Sequence, residues 1–409
     1  MSKNGHAIAG LDIGSAQTVI VIGHRNPVTG GLTLTGAGRA PCRGLKGGVV
    51  VNITESKLAV SKAAEEAEEM AKETVQNLLV GIRGSHVETY NHRGAVTISR
   101  TDKEITAEDV DNVTINAKAI QLSSDREIIH TVPQDFSVDK QAGVEDPVGM
   151  EGSHLSVDVH IAVAGSSHLS NIVKSINQAG FSCDDIIYGA YAVGDCVVSE
   201  EEKELGVALV DMGGQTTTLS VYADGSIRFT KELPIGGELI TKDISYGLKT
   251  SFTAAQQLKE HYGCASVDLL ENDETLEFMA VDGRTRREVN RRTLVEIIQS
   301  RVEEIFEMIN QELQKSNYAE VIPGGLVLTG GGSKLPGIDK AAEEAFGMNV
   351  HLGNPIEVEG PPSIVTDPTY ATAIGLLKYR HVGEWSRGHR PLRSPSILKK
   401  MKVWMDEVF

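Results

Sequence analysis

Hydrophobic and polar positions follow one distinctive pattern at two places in the chain. The sequence reads AIAGLDIGSAQTVIVI over residues 7–22 and GVALVDMGGQTTTLSV over residues 206–221. Each copy predicts an apolar strand that ends in aspartate, then a glycine turn, then a β-rich return strand. The copies lie about 200 residues apart. That spacing predicts two related halves, because solenoid repeats recur every ~20–50 residues.

Helical and strand periodicities fill the rest of the chain in alternation. The further predicted elements are helices over 55–77, 107–120, 238–248, 253–261, 293–315, 336–346 and 370–379, and strands over 78–83, 128–132, 156–163 and 325–329. The mixed segment 84–162 is predicted to be an inserted small domain, and the polar stretch 266–292 indicates a second small subdomain. The pattern as a whole is typical of an α/β protein.

Composition narrows the possible classes of protein. The chain has 409 residues, which favours two or more domains, and a net charge of −17, which argues against nucleic-acid binding through the overall field. Its four cysteines are scattered without a CxxC pair, so we expect a reducing cytosol rather than a disulfide framework or zinc site. The first residues lack the apolar run of a signal peptide, and no stretch approaches the roughly 20 apolar residues of a spanning helix.

Three glycine turns follow three apolar strands, and they are the candidate chemistry. These turns are DIGS (12–15), DMGG (211–214) and TGGGS (329–333). Glycine lets backbone N–H groups approach phosphate oxygens closely. Asp12 and Asp211 are carboxylates of the kind that Mg²⁺ takes, with most of its water shell retained. A lone glycine turn is usually only a turn, but three turns with two matched aspartates favour a phosphate site. Neither a Walker motif nor a GxGxxG fingerprint is present at these turns.

These motifs resemble those of a known superfamily. DIGSAQT (12–18), DMGGQTTT (211–218) and LTGGGSKLPGI (328–338) resemble the two phosphate motifs and the adenosine motif of the actin, Hsp70 and sugar-kinase superfamily. Its two connecting helices are similar to IIYGAYAVGDCVV (186–198) and YATAIGLLKY (370–379). Within this superfamily, five segments of the chain resemble the FtsA family of bacterial cell-division proteins. They are LVGIRGSHVETYNHRG (79–94), REIIHTVPQDFSVD (126–139), EDPVGMEGSHLSVDVHIA (145–162), SEEEKELGVALVDMGG (199–214) and KEHYGCA (259–265). The resemblance covers nearly the whole chain.

The resemblance implies an architecture. It implies an actin-like fold of two ribonuclease-H-like halves with two small inserted subdomains and a C-terminal amphipathic helix. The implied boundaries are 1–83 and 163–193 for the first half, 84–162 for its insertion, 194–240 and 300–380 for the second half, 241–299 for the second subdomain, 381–395 for a flexible linker, and 396–409 for the terminal helix.

The resemblance also assigns nucleotide contacts. ATP is expected at Ser15, Ala16, Gln17, Gly213, Gly214, Gln215, Thr216, Gln256, Lys259, Gly330, Gly331, Gly332 and Ser333, with Mg²⁺ organised through water by Asp12 and Asp211. Two positions depart from the family pattern: Gln256 stands where glutamate is typical, and Gln215 replaces a glycine and is expected to narrow the pocket. Tyr188 and Gly189 occupy the region where some relatives carry a water-orienting Glu or Gln. ATP binding is therefore expected with weak or absent hydrolysis.

The C-terminal segment predicts a membrane contact. Its apolar positions, at offsets that form one face of a helix, are Ile397, Leu398, Met401, Trp404, Met405 and Val408, joined by the terminal Phe409. Lys399, Lys400 and Lys402 take the other side. A basic amphipathic helix with Trp on its apolar face lies in the interface of an anionic membrane, weakly unless several copies are linked. The alternative is a terminal helix docked on the protein's own core.

The partners implied by the resemblance are those of the divisome. They are the C-terminal peptide of the tubulin-like ring protein FtsZ, further copies of this chain in a filament, later division proteins, and the cytoplasmic face of the inner membrane at the division site. RRTLVEIIQSRVEEIF (291–306) resembles the helix that binds FtsZ, which makes Arg301 and Glu304 the candidate FtsZ contacts. The alternative is that both lie on a solvated helix face, where a charged pair at this spacing is common. The rival classes are a sugar kinase and a pilus-assembly relative that binds a peptide rather than lipid.

Overall fold

The computed structural model describes residues 7–26 and 29–385. In chain order its strands are β1 (Ile8–Ile13), β2 (Gln17–Arg25), β3 (Leu32–Pro41), β4 (Leu45–Lys46), β5 (Val49–Val50), β6 (Asn77–Ile82), β7 (Val87–Thr97), β8 (Arg126–Val138), β9 (Gln141–Val144), β10 (His154–Gly165), β11 (Ser182–Tyr188), β12 (Val207–Met212), β13 (Thr217–Ala223), β14 (Ser226–Leu233), β15 (Thr275–Met279), β16 (Arg286–Asn290), β17 (Leu326–Thr329), β18 (Val350–Leu352) and β19 (Val358–Glu359).

The helices lie between these strands. In chain order they are α1 (Ile53–Ala71), α2 (Ala107–Ala117), α3 (Ser166–Gln178), α4 (Gly189–Val197), α5 (Glu200–Leu205), α6 (Gly237–Leu248), α7 (Phe252–Tyr262), α8 (Arg291–Lys315), α9 (Ile338–Phe346), α10 (Pro362–Val365) and α11 (Ala371–Trp385). Among these, none has the length and apolar run needed to cross a membrane.

Two sheets repeat one strand order. The first sheet runs β11-β6-β1-β2-β3-β19, and the second runs β18-β17-β12-β13-β14. In the first sheet, β1 pairs antiparallel with β2 and parallel with β6. In the second sheet, β12 pairs in the same way with β13 and β17. The AIAGLDIG and GVALVDMG copies supply β1 and β12, so the repeated pattern in the sequence is a repeated unit of the fold.

The shared register brings equivalent residues to equivalent strand ends. Asp12 lies beside Gly81 of β6, and Asp211 lies beside Thr329 of β17. Parallel neighbours end at the same edge of a sheet, where ligands of α/β proteins bind. Both aspartates and the segments that follow β6 and β17 therefore lie where the strand ends of the two sheets meet, a junction called the cleft below.

Helices α4 and α11 pack against each other between the two sheets. A Cβ atom at Gly375 would run into the backbone carbonyl of Ala192, so glycine is needed for this close approach. The hydrophobic cluster of the first sheet continues through both helices to Val207 and Leu209 of β12. One core therefore joins the first half to one face of the second sheet.

The insertion between β6 and α3 has a core of its own. Its sheet runs β7-β10-β8-β9, and α2 covers one face, with Val113, Phe136 and Val157 among the buried residues. It also contacts the second half: the Asn91 amide donates to the Arg228 carbonyl at 2.8 Å, and the Gln134 amide donates to the Ile227 carbonyl at 2.6 Å.

Helices α6, α7 and α8 and the β15-β16 hairpin pack on the second half, in one hydrophobic cluster with its sheet. The buried face of α8 packs with α6 and α7 through residues such as Ile240, Leu258 and Ile298. Its apolar positions recur at helical spacing, which is why the sequence predicts this helix within two residues of its start.

Several element boundaries differ from the sequence prediction. The helix predicted over 55–77 ends at Ala71, because Lys72 has a left-handed conformation, and the strand predicted over 128–132 extends from Arg126 to Val138. The helix predicted from Pro336 begins at Ile338, because Gly337 has φ of +76°, which a right-handed helix does not accept. Helix α11 continues to Trp385, five residues into the predicted linker 381–395. The sequence from Ala371 to Pro391 holds no proline that would stop the helix earlier, and Gly383 costs only about 1 kcal/mol in a helix.

Candidate nucleotide site

The two phosphate turns have the same geometry and touch each other. In the first turn the Gly14 amide donates to the Gln17 carbonyl at 3.1 Å, and in the second the Gly213 amide donates to the Thr216 carbonyl at 2.9 Å. A Cβ at Gly214 would lie 2.5 Å from the Cβ of Ala16, so the absence of a side chain lets the turns meet. The candidate phosphate residues of both halves are therefore brought together at one place.

Arg83 joins the two candidate metal ligands. Its Nη2 donates to Asp12 Oδ2, and its Nη1 donates to Asp211 Oδ2. Both carboxylates are almost fully buried, at 4% and 3% exposure, and Thr372 also donates to Asp211 at 3.3 Å. The guanidinium thus bridges the ends of β1 and β12 across the cleft.

The cluster is strongly charged in a buried setting. Burial raises the pKa of Asp12 against the opposing effect of the Arg83 cation. Burial alone would lower the pKa of Arg83, but the Asp12 and Asp211 carboxylates outweigh it and raise that pKa. Arg83 is therefore a permanent positive charge at the floor of the cleft.

Magnesium does not fit this arrangement. The carboxylates of Asp12 and Asp211 are the right donors, but the position that both face holds the Arg83 guanidinium. A divalent ion could reach both carboxylates only by displacing this guanidinium. At 4 Å and an effective dielectric constant of about 20, the guanidinium would repel the ion by roughly 8 kcal/mol, about half of the attraction that the two carboxylates would give at the same distance. Asp12 Oδ1 has no hydrogen-bond partner among the described residues, and one oxygen does not make a metal site. The Mg²⁺ predicted from the sequence thus meets a competing cation.

Glu232 of β14 is a third carboxylate at the cleft. It accepts hydrogen bonds from the Tyr188 hydroxyl at 3.0 Å, the Thr218 hydroxyl at 3.0 Å and the Gly84 amide at 3.1 Å. Burial raises the pKa of Glu232, while Tyr188 and Arg83 oppose that shift. The region where the sequence shows only Tyr188 and Gly189 therefore receives a carboxylate from another strand.

Ser15 and Gln215 hold the β4-β5 hairpin against the turns. The Ser15 hydroxyl accepts from the Gly48 amide at 2.9 Å, and Gln215 Oε1 accepts from the Gly47 amide at 2.9 Å. Gln215 Nε2 also donates to Glu238 at 2.9 Å. The glutamine that replaces the family's glycine thus spans from the second half to the first.

Lys259 and Gln256 lie on α7 beside the start of α6. Lys259 Nζ donates to the Gly237 carbonyl at 3.1 Å, and the Gly237 amide donates to the Gly213 carbonyl at 2.9 Å. Burial lowers the pKa of Lys259. Gln256 accepts from the Thr241 hydroxyl at 3.3 Å and donates to Glu260 at 2.5 Å. Lys259 is thus one hydrogen-bonded step from the second phosphate turn, and Gln256 is one step further, through Thr241 and Gly237.

The third glycine turn packs against Asp211. Gly330 has φ of +84°, and a Cβ there would collide with Asp211 Oδ1, whereas a Cβ at Gly331 would meet nothing within 4 Å. The Ser333 hydroxyl donates to the Gly330 carbonyl at 2.8 Å and is buried. Ser333 therefore closes the turn, and Gly331 leaves open space beside it.

The remaining predicted residues lie elsewhere. Arg301 of α8 donates to Asp243 of α6 and to Glu304, so its side chain joins these two helices. The predicted membrane residues from Ile397 to Phe409 lie outside the described residues.

Sequence reasoning missed Arg83 and Glu232. A charged residue directly after the apolar strand LLVGI and before Gly84 was the available signal for Arg83. The signal for Glu232 was its place two residues after Thr230 in the run SIRFTKEL, which puts both side chains on one face of a strand. Neither signal identifies a partner, because the contacts that matter come from distant segments.

Solved structures share this fold. The PilM-PilN type IV pilus biogenesis complex matches with a TM-score of 0.66 at 18% identity, covering 92% of this chain and 98% of that one. MreB5 of Spiroplasma citri bound to ADP matches with a TM-score of 0.55 at 12% identity, covering 93% of this chain and 99% of that one. These likenesses confirm the actin-like fold that the sequence predicts.

Sequence comparisons identify the family. The model for cell division protein FtsA matches residues 208–375, and the model for the SHS2 domain inserted in FtsA matches residues 84–163. Cell division protein FtsA of Neisseria meningitidis is 40% identical over 100% of both chains. That of Pseudomonas aeruginosa is 39% identical over 92% of this chain and 90% of its own. The chain therefore belongs to the FtsA family of cell-division proteins.

Proposed function

We propose that the protein is a nucleotide-binding, polymerising actin homologue that anchors FtsZ filaments to the cytoplasmic membrane and helps to recruit later division proteins. The observation that carries the nucleotide part is the meeting of three glycine turns and two matched aspartates between related halves. Backbone N–H groups in such turns are suited to phosphate oxygens. The family membership carries the role in division.

Structural neighbours support the ligand class. The solved MreB5 structures are bound to ADP and to AMPPNP and share the fold over 93% of this chain. Lys259 near the second phosphate turn and the open space beside Gly331 suit the nucleoside end of an adenine nucleotide. Among the carboxylates described at the cleft, Glu232 is our candidate for orienting a water molecule. Its hydrogen bonds to Tyr188 and Thr218 hold the carboxylate in place.

The FtsZ peptide is proposed to bind at the α6 and α8 face. Arg301 is held by Asp243 and Glu304, so its cation is fixed at the surface rather than swinging freely. Tyr246, one helical turn after Asp243 on α6, is 88% exposed and offers an apolar ring beside this charged group. A fixed charge next to an exposed aromatic ring is typical of a peptide-binding surface.

Membrane attachment is assigned to the basic amphipathic segment 396–409, and filament formation supplies the avidity that one short helix lacks. The test is co-sedimentation with anionic liposomes, with and without ATP, of the full chain and a chain ending at Pro395. Pelleting of the full chain alone supports the membrane role, and a further gain with ATP supports nucleotide-linked assembly. If neither chain pellets, the membrane role fails and a peptide-binding role takes its place.

A further inference from the structure

The two halves place different residues at one equivalent position. Gly81 lies beside Asp12 and Thr329 lies beside Asp211, so two residues later Arg83 corresponds to Gly331. The first half thus directs a guanidinium into the cleft at the point where the second half has no side chain.

We propose that Arg83 is the resident cation of the nucleotide cleft and contacts the polyphosphate in place of Mg²⁺, so that a nucleoside triphosphate binds without a divalent metal. The inference rests on the nucleotide binding proposed above. It concerns what balances the phosphate charge, which the family membership does not determine for this chain.

The position of Arg83 is built into the fold. It follows β6 directly, and a Cβ at Gly84 would meet the Gly47 carbonyl oxygen and, at 2.8 Å, the Cα of Gly48. The same hairpin is bonded to Ser15 and Gln215 of the two phosphate turns. The backbone that carries Arg83 is therefore packed against the segment that also contacts both turns.

The chemistry of the guanidinium suits the role. It carries five N–H donors, and the bonds to Asp12 and Asp211 engage two of them. Phosphate oxygens are among the best acceptors for an arginine fork. A group that bridges both carboxylates and has further N–H donors can make the contacts that a hydrated metal ion makes in other phosphate sites.

The surrounding charge explains why a cation must be present. Asp12, Asp211 and Glu232 lie around Arg83, so these three carboxylates outnumber the single guanidinium. Replacing Arg83 by a neutral residue leaves buried carboxylates without their partner. Such a variant is expected to recruit the divalent ion that the wild type excludes.

The test is ATP affinity by isothermal titration calorimetry on the full chain, in EDTA and in millimolar Mg²⁺. The wild type should bind in both buffers with a dissociation constant that changes less than about threefold. Arg83→Ser should lose at least tenfold in EDTA and regain affinity with Mg²⁺, whereas Arg83→Lys, which keeps the charge, should retain part of the metal-free binding. Circular dichroism confirms that each variant is folded.

Each outcome decides between the two proposals. ATP binding by the wild type that falls more than tenfold in EDTA overturns the role of Arg83 but leaves nucleotide binding intact. Absence of ATP binding in both buffers overturns nucleotide binding and the Arg83 role together. The wild-type comparison needs no variant, so a failure of Arg83→Ser to fold does not remove the test.

Discussion

The two halves have the same strand order but finish their equivalent strands differently. After β6 the first half continues with Ile82, Arg83 and Gly84, and after β17 the second half continues with Gly330, Gly331 and Gly332. One half supplies a buried cation that binds the aspartates of both halves, and the other supplies space. A duplicated fold thus brings two copies of a strand end together without giving them the same chemistry.

The largest expected effect of a single substitution comes from the glycine side of this comparison. Gly330→Ala should lower the free energy of unfolding by about 3 kcal/mol, because its φ of +84° and the collision with Asp211 Oδ1 both penalise a Cβ. Gly331→Ala is the matched control and should stay within about 0.5 kcal/mol of wild type, since its Cβ meets nothing within 4 Å. Chemical denaturation measures both, and equal effects would contradict the assignment of roles within the turn.

Acid should lower the free energy of unfolding through three histidines of the insertion. Burial lowers the pKa of His86, His130 and His160 to about 4 from 6.5. The unfolded chain takes up protons first as the pH falls below 6.5, so stability is present above that pH and is lost toward pH 4. At pH 5 the loss is about 2 kcal/mol for each imidazole.

The matched variant for this prediction is His130→Phe, which keeps a ring beside Tyr191 and Tyr379. Its unfolding free energy should depend less on pH between 7 and 5 than that of the wild type. An unchanged slope in His130→Phe would rule out this histidine as a source of acid sensitivity.

Gln215 tests the bond between the halves. Gln215→Ala removes the contacts to the Gly47 amide and to Glu238 and should cost about 1–2 kcal/mol of stability. Limited proteolysis should then cut the β4-β5 hairpin sooner. Thr29→Ala, at an exposed turn of the first half, serves as the control, and equal protection of the hairpin in all three proteins would show that Gln215 does not hold it.

The smallest effect on stability is expected at the α6 and α8 face. Arg301→Ala should change the unfolding free energy by about 0.5–1 kcal/mol, because the ion pairs with Asp243 and Glu304 are partly exposed. Binding of an FtsZ C-terminal peptide, followed by fluorescence anisotropy, should fall at least tenfold. Arg292→Ala, a charge change elsewhere on α8, should leave peptide binding unchanged. Equal peptide affinities in both variants would exclude this face.

The repeated strands and turns were predictable because their signals are local. Apolar runs ending in Asp12 and Asp211 and the glycines after them indicate β1, β12 and their turns without knowledge of the rest of the chain. The helix start at Pro336 was wrong because the conformation of Gly337 is not visible in the residue types. Boundaries of this kind depend on single dihedral angles.

The chemistry of the cleft was only half predictable. The partners of Arg83 lie 71 and 128 positions away in the sequence, so no local pattern shows that it binds both aspartates. The same holds for Glu232, which meets Gly84 from 148 positions away. The sequence thus predicted the ligands of a cation, and the fold supplied a different cation from the one expected.

The central claim is that Arg83, not a metal ion, lies between Asp12 and Asp211 when nucleotide is bound. Crystals grown with a non-hydrolysable ATP analogue and Mn²⁺ test this directly, because manganese gives an anomalous X-ray signal. The account predicts no anomalous peak between the two carboxylates, with the guanidinium bonded to both and to a phosphate oxygen. A manganese peak at that position, with Arg83 displaced from the aspartates, would contradict it.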